Sequence, residues 1–157
     1  MRVEQLSSRC IKLASKLADS IYPPELWEPF ESFESRWKQF PEGAIGLFDD
    51  DQLVGYCFFH PWHENQIVPL CLELTDVPKS AVCYIHDLAI LPKYREKGNG
   101  RFLVNAVIEK IRTLGFSKCA LVAVLGADGF WSKIGFRSLG AFVYGSTNAI
   151  RMELEFS

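Results

Sequence analysis

The chain has 157 residues, 48% of hydrophobic types and 23% charged, the size and balance of a single globular domain spanning 1–157 with its own core. A net charge of −2 argues against a phosphate-tracking nucleic-acid surface. No stretch approaches the ~20 apolar residues of a membrane span and the opening residues hold no signal-peptide core, so the expected address is cytoplasmic, with no membrane partner.

From about Gln5 to Ala18, Leu6, Cys10, Leu13, Ala14 and Leu17 recur at spacings of three and four, which predicts an amphipathic helix. Pro23 and Pro24 end it. Leu26, Trp27, Phe30, Phe33, Trp37 and Phe40 then repeat at helical spacing up to Pro41, with Pro29 at a helix start or kink. Most of that aromatic stripe reads as core. Trp27 and Phe30 are the candidates from it to line a pocket for an acceptor substrate.

Ala44 to Phe48 and Leu53 to Phe59 are β-rich runs around Asp49, Asp50 and Asp51, a hairpin pattern. His60 and His63 in FHPWH read as loop residues, because no cysteine or further histidine accompanies them as a zinc site requires, and no metal is expected. The five cysteines are odd in number and far apart, so they read as reduced, buried thiols. Pro61 to Pro78 reads as an irregular excursion with at most one short helix.

Ala81 to Leu91, AVCYIHDLAIL, is apolar on both faces apart from His86 and Asp87, the pattern of a central strand covered on both sides. Strict alternation would send Asp87 to the face opposite His86, where it anchors a neighbouring loop or helix. Beyond Gly98, Leu103, Val107, Ile111 and Leu114 mark a helix that Gly115 stops. Lys118 to Val124 is a further buried strand, Ala127 to Ile134 a short helix, and AIRMELEF a strand with one wet face.

The chemistry-bearing stretch is buried strand, LPKYREKGNGR, then helix. Backbone amides at a helix N-terminus bind phosphate, Gly98 and Gly100 remove Cβ atoms that would block close approach, and Arg95, Lys97 and Arg101 supply positive charge. A dinucleotide fingerprint fails, since Leu103 stands where a third small residue is needed and no acid follows about 20 residues on. A Walker loop fails for want of Gly-Lys-Ser/Thr.

The remaining pattern, Arg95-Glu96-Lys97-Gly98-Asn99-Gly100, resembles the coenzyme A loop of the GCN5-related N-acetyltransferases (GNAT). The resemblance runs from about Ala44 to the C-terminus: AIGLFDDDQLVGYCFF is similar to that family's second and third strands, YIHDLAILPKYREKGNGRFL to its fourth strand, phosphate loop and third helix, and GFWSKIGF to its Tyr-x-x-x-Gly-Phe segment. It implies an α+β fold, a mostly antiparallel twisted sheet of six to seven strands flanked by about four helices. It implies an acetyl-CoA-dependent N-acetyltransferase acting on a primary amine of a small molecule by direct attack on the thioester, as a monomer or homodimer.

Residue by residue, the resemblance places the pantetheine arm along Leu88, Ala89 and Ile90. It places the pyrophosphate on Arg95, Glu96, Lys97, Gly98, Asn99, Gly100 and Arg101, and an oxyanion-stabilising N–H at or near Leu88. His86 stands where a branch of the family with the motif His-x-His-x-Leu-Ala-Val has a catalytic histidine, and its intrinsic pKa near ~6.5 suits a base. The bland alternative is a core histidine satisfied by a carbonyl. Tyr84 replaces the first histidine of that motif and is a candidate for both substrate contact and proton transfer, as Tyr144 is for the latter. Trp131 occupies the family's usual general-acid tyrosine position, where indole donates no useful proton, and it is expected beside the thioester or pantetheine. A thiol with a pKa near ~8.5 leaves tolerably as thiolate, so transfer survives that loss. A non-catalytic acyl-CoA sensor, and an acetyltransferase of protein lysines or N-termini, are the competing functions.

Overall fold

The computed structural model describes residues 1–156. Four helices, α1 (Ser8–Ile21), α2 (Phe30–Gln39), α3 (Asn99–Thr113) and α4 (Asp128–Ile134), surround one seven-stranded sheet. Its strands are β1 (Arg2–Gln5), β2 (Ala44–Asp49), β3 (Gln52–Pro61), β4 (Val82–Ile90), β5 (Lys118–Val124), β6 (Arg137–Tyr144) and β7 (Thr147–Glu155), in the order β1-β2-β3-β4-β5-β7-β6. Every pairing is antiparallel except β4 with β5. This is the α+β architecture that the sequence implies.

Each face of the sheet carries its own core. On one, Ile11, Ala14, Leu17 and Ala18 of α1 and Phe33 of α2 pack on Ala44, Tyr56 and Phe58. On the other, Leu103, Val104, Val107 and Ile111 of α3 join Trp131 and Phe136 over Cys57, Cys83, Ile85 and Cys119. The three-and-four spacing in α1 and α3 gives each helix one apolar stripe, and burial of that stripe holds it to the sheet.

Two strands escape the sequence pattern. β1 has four residues and a single apolar one, and it exists by pairing with β2. β6 is almost wholly exposed, an outer edge held by its ladder to β7. The second predicted helix starts later than its aromatic periodicity, because Pro24–Leu26 forms only a single 3-10 turn and Pro29 caps α2. Residues 62–80 form no helix. Cys57, Cys83 and Cys119 are buried free thiols, but Cys71 is exposed and Cys10 half-buried, correcting the expectation for those two.

Candidate active site

β4 and β5 pair only over Val82–Ile85 and Lys118–Leu121. Beyond that β4 stays with β3 and β5 with β7, so the two strands part and leave a cleft. A cavity of about 360 Å³ occupies it, walled by Ile85–Ile90 on one side and Leu121–Leu125 on the other.

The backbone of β4 is half committed. The N–H of Leu91 donates to the carbonyl of Val54 at 2.9 Å. Antiparallel ladders alternate between bonded and non-bonded pairs, so Ala89 spends its N–H and C=O on Tyr56, while Leu88 and Ile90 turn theirs toward the cleft. Leu88 and Ile90 thus turn backbone groups to the cleft, and Ala89 does not. The Ile90 carbonyl accepts from Nε of Arg95 at 2.9 Å, which ties the glycine loop to the end of β4.

The loop itself is set by two left-handed residues and one side-chain hydrogen bond. Lys97 and Gly98 both have positive φ, 65° and 78°, and Asn99 donates from Nδ2 to the Tyr94 carbonyl at 2.8 Å. The chain then enters α3 with Gly98 at its N-cap, so the first-turn amides of a 15-residue helix face the cleft mouth without intrahelical partners. Gly98 has open space around it and Gly100 lies against Phe130. Lys93, Lys97 and Arg101 supply further positive charge at this end, and Glu96 sits among them.

At the far end the cavity is polar. Phe58 pairs with Asp87 and Phe59 with Ile85, so His86 is an extra residue in β4, a bulge. The bulge resets the alternation: His86 and Asp87 lie on the same face, toward α1 and α2, correcting the expectation that they oppose each other. Asp87 accepts hydrogen bonds from the hydroxyls of Tyr22 and Tyr56, which pins the end of α1 to the sheet. Its burial, only partly offset by these two donors, raises its carboxyl to about 6.

His86 faces Glu28, with Nε2 3.6 Å from Oε2. That carboxylate is buried in an ion pair with Nη2 of Arg36 at 2.5 Å and accepts from the backbone N–H of Cys71 at 2.9 Å. Burial alone would raise the Glu28 pKa, but His86 and Arg36 together hold it well below the carboxylate range. Burial and then the Arg36 charge push His86 down to about 4, against the smaller opposing pull of Glu28. Behind it His60 is fully buried, its Nε2 3.5 Å from Nδ1 of His86, and burial lowers it to about 3.

The FHPWH expectation is therefore corrected. β3 runs through Pro61, and His60 belongs to the buried wall opposite Tyr84, not to a loop.

Tyr84, Trp131 and Tyr144 line the cavity. Trp131 is wedged between Phe130 and Phe136, both ring centroids 5.2 Å away. Burial lifts the phenols of Tyr84 and Tyr144 above their ordinary range, and Tyr144 donates to the Val68 carbonyl at 2.6 Å. Trp27 and Phe30 are not in the cavity wall: the Trp27 ring is 51% exposed and Phe30 packs on the α1–α2 core. Their neighbours Leu26 and Glu28 take the place expected of them, because Pro29 restarts the helix and turns the aromatic stripe away.

Glu28, Arg36 and His60 were not found by motif. Their one signal is a charged or polar residue inside an aromatic run, in LWEPF, FESRW and FFHPW.

Residues 11–136, most of the chain, match the model of the acetyltransferase (GNAT) family. The chain belongs to that family. It is accordingly an acyltransferase.

Solved GNAT structures resemble it in fold over nearly the full chain. The loading GNATL domain of CurA from Lyngbya majuscula has a TM-score of 0.82 at 13% identity, covering 98% of this chain and 96% of that one. The GphF GNAT-like decarboxylase, solved with isobutyryl-CoA, has 0.81 at 16%, covering 99% of each. Arabidopsis thaliana Naa50, solved with the bisubstrate analogue CoA-Ac-MVNAL, has 0.73 at 14%, covering 99% and 98%. At these identities the likeness is one of fold. No curated protein matches the chain by sequence. No helix among the described residues is long and apolar enough to cross a membrane.

Proposed function

We propose that this GNAT protein transfers the acetyl group of acetyl-CoA to a primary amine of a small molecule, by direct attack of the amine on the thioester. The observation that carries the reading is the continuity of the cleft, from Arg95 and Gly100 at one end to His86 and Glu28 at the other. Relatives in fold hold CoA and acyl-CoA ligands, which supports the same class of co-substrate here.

In this reading Arg95, Lys97, Arg101 and the first-turn amides of α3 take the pyrophosphate, and Gly98 and Gly100 admit it. The pantetheine runs between β4 and β5 along Leu88 and Ile90, with Trp131 packed beside it. The N–H of Leu88 points into the cleft and serves the oxyanion that forms as the thioester carbonyl is attacked. His86 is the base: its ring lines the cavity and is neutral at pH 7, and because burial holds it to about 4 it takes a proton only from an amine whose own pKa the buried site lowers.

A small acceptor is favoured over a peptide because residues 62–80 lie against the polar end, where Leu70 lines the cavity. Residues 62–80 are fastened there by the Tyr144 hydroxyl on Val68, by the Cys71 N–H on Glu28, and by the Leu74 N–H on Ser35 Oγ at 2.9 Å. A peptide would need that segment displaced, whereas a single amine fits among Tyr22, Tyr84 and Tyr144.

The test is calorimetry with acetyl-CoA, CoA and NAD, followed by acetyl-CoA turnover against small amines and against peptides. Binding of the CoA forms alone, with turnover on small amines that His86→Ala abolishes, is expected. Binding without turnover on any amine would make the chain an acyl-CoA sensor, and turnover on peptides alone would overturn the small-molecule reading.

A further inference from the structure

At the polar end of the cavity, acceptors outnumber hydrogens. Tyr22, Glu28, Tyr84, Asp87 and Tyr144 stand in its wall. Each phenol has one hydrogen, and two of the three are committed: Tyr22 donates to Asp87, and Tyr144 donates to the Val68 carbonyl at 2.6 Å. Those two oxygens can now only accept, so at most the Tyr84 hydroxyl is left to give. Asp87 receives on both oxygens, from Tyr22 and Tyr56, and each carboxylate oxygen has room for a further donor.

Glu28 carries a bare oxygen. Its Oε2 takes every partner the carboxylate has: Nη2 of Arg36 at 2.5 Å, the N–H of Cys71 at 2.9 Å and, 3.6 Å away, Nε2 of His86. Oε1 accepts from none of the described residues, and it is not one of the polar atoms sealed inside the protein. The residue is 8% exposed, and the surface it keeps lies in the cavity wall. Glu28, Asp87 and Tyr22 also share the wall of a second chamber of about 10 Å³, which brings the two carboxylates to one place although they come from different elements.

Charge points the same way as the hydrogens. Arg36 cancels Glu28 and stands behind it, outside the wall. His60 and His86, held at about 3 and about 4, are uncharged. Asp87, raised by burial to about 6 against the pull of its two hydroxyl donors, is still ionised at neutral pH. The one cationic side chain among the described residues of the wall, Arg95, is tied to the end of β4 beside the glycine loop. The polar end is left with one uncompensated negative charge.

The nitrogen that attacks the thioester cannot balance that charge. It must shed its proton before it attacks, and Asp87 would then stand without a counter-ion in a buried site. A second nitrogen that stays protonated keeps the balance throughout.

We infer that the acceptor is a short diamine, whose protonated end is held by Asp87 and by Oε1 of Glu28 while its neutral end faces the thioester. The inference deepens the amine reading above and rests on it for the reacting group. An ammonium brings three hydrogens on a compact head, which matches oxygens that converge from two carboxylates and a phenol. An alcohol brings one hydrogen and no charge, and an alkyl end brings neither. Ile21, Leu26 and Leu70 line the same end and supply aliphatic surface for the methylenes between the two nitrogens.

The test is acetyl-CoA turnover with three acceptors of one chain length, diaminobutane, aminobutanol and butylamine, together with calorimetry of diaminobutane on the CoA-loaded protein. We expect kcat/KM for the diamine to exceed that of each other acceptor by at least about tenfold, the scale of a charge-assisted hydrogen bond. Asp87→Asn, which keeps the side-chain shape and removes the charge, should raise KM for the diamine about tenfold and leave KM for butylamine and for acetyl-CoA unchanged. Glu28→Gln, if circular dichroism shows it folded, should act in the same direction. Butylamine or aminobutanol turned over as well as the diamine overturns the inference and leaves the amine reading standing, as does a folded Asp87→Asn protein that keeps the preference. CoA binding with no amine acetylated overturns the amine reading. In that case diamine binding that Asp87→Asn abolishes still establishes the cation site, and no diamine binding overturns both.

Discussion

Gly100 and Phe130 meet across the mouth of the cleft: a Cβ added to Gly100 would lie 3.3 Å from Cε1 of Phe130. Gly98, two residues earlier, has nothing within 4 Å of such an atom but holds a φ of 78°. A large side chain therefore acts differently at the two positions. Gly98→Trp accepts roughly 1 kcal/mol of backbone strain and fills the space before the α3 amides, while Gly100→Trp must displace Phe130. In both, CoA affinity measured by calorimetry should fall more than about tenfold with the far-ultraviolet circular dichroism unchanged. Wild-type affinity in both variants would place the pyrophosphate elsewhere.

Glu28 and Arg36 form a buried ion pair, and removing one member strands the other. Arg36→Met or Glu28→Leu alone should cost about 3–5 kcal/mol in urea unfolding, with the double substitution recovering much of that loss, because a buried pair exchanged for apolar side chains is often neutral. Additive losses would show that the two residues act separately. Arg36→Met has a second consequence, since the Arg36 charge helps hold His86 down: the His86 titration should move up from about 4.

The same buried groups make stability depend on pH. His60 and His86 titrate near 3 and 4 when folded but near the ordinary 6.5 when unfolded. The unfolded chain therefore binds more protons over that window, and stability present above pH 6.5 is lost as the pH falls toward 4. Glu28, held low in the fold, acts in the same sense. Asp87 acts in the opposite sense, since its raised value of about 6 makes the folded chain the better proton acceptor between 6 and the ordinary 3.8. Over that window the two histidines outweigh one aspartate, so the urea midpoint should drop between about pH 7 and about pH 4.5. His60→Gln should flatten that slope and Asp87→Asn should steepen it. A midpoint that rises on acidification would contradict the buried, neutral state of both rings.

The core of the fold was legible because its signals are local. The spacing of Leu103, Val107 and Ile111, the unbroken apolar run around Cys83 and Ile85, and the two glycines before α3 each carry their structure within a few residues. β1 and β6 were not legible, because an edge strand with little burial is defined by hydrogen bonds to a partner far along the chain. The acceptor end was hidden for a different reason. Glu28 reaches His86 across 58 positions, and a one-residue bulge decides that Asp87 shares its side of the sheet. Neither a side-chain meeting at that separation nor a register shift leaves a periodicity to read. Trp27 and Phe30 misled because their spacing is helical while the backbone, at Pro24 and Pro29, is not continuous.

The short seam of β4 with β5 also bears on how the molecule comes apart. Val82–Ile85 and Lys118–Leu121 carry the strand ladder between β1 to β4 on one side and β5 to β7 on the other, and beyond it the edges of β4 and β5 face each other across the cleft. A ligand lying in the gap and touching both edges adds to the seam. Occupation of the cleft should therefore raise the urea midpoint by tying the two edges together where no ladder does.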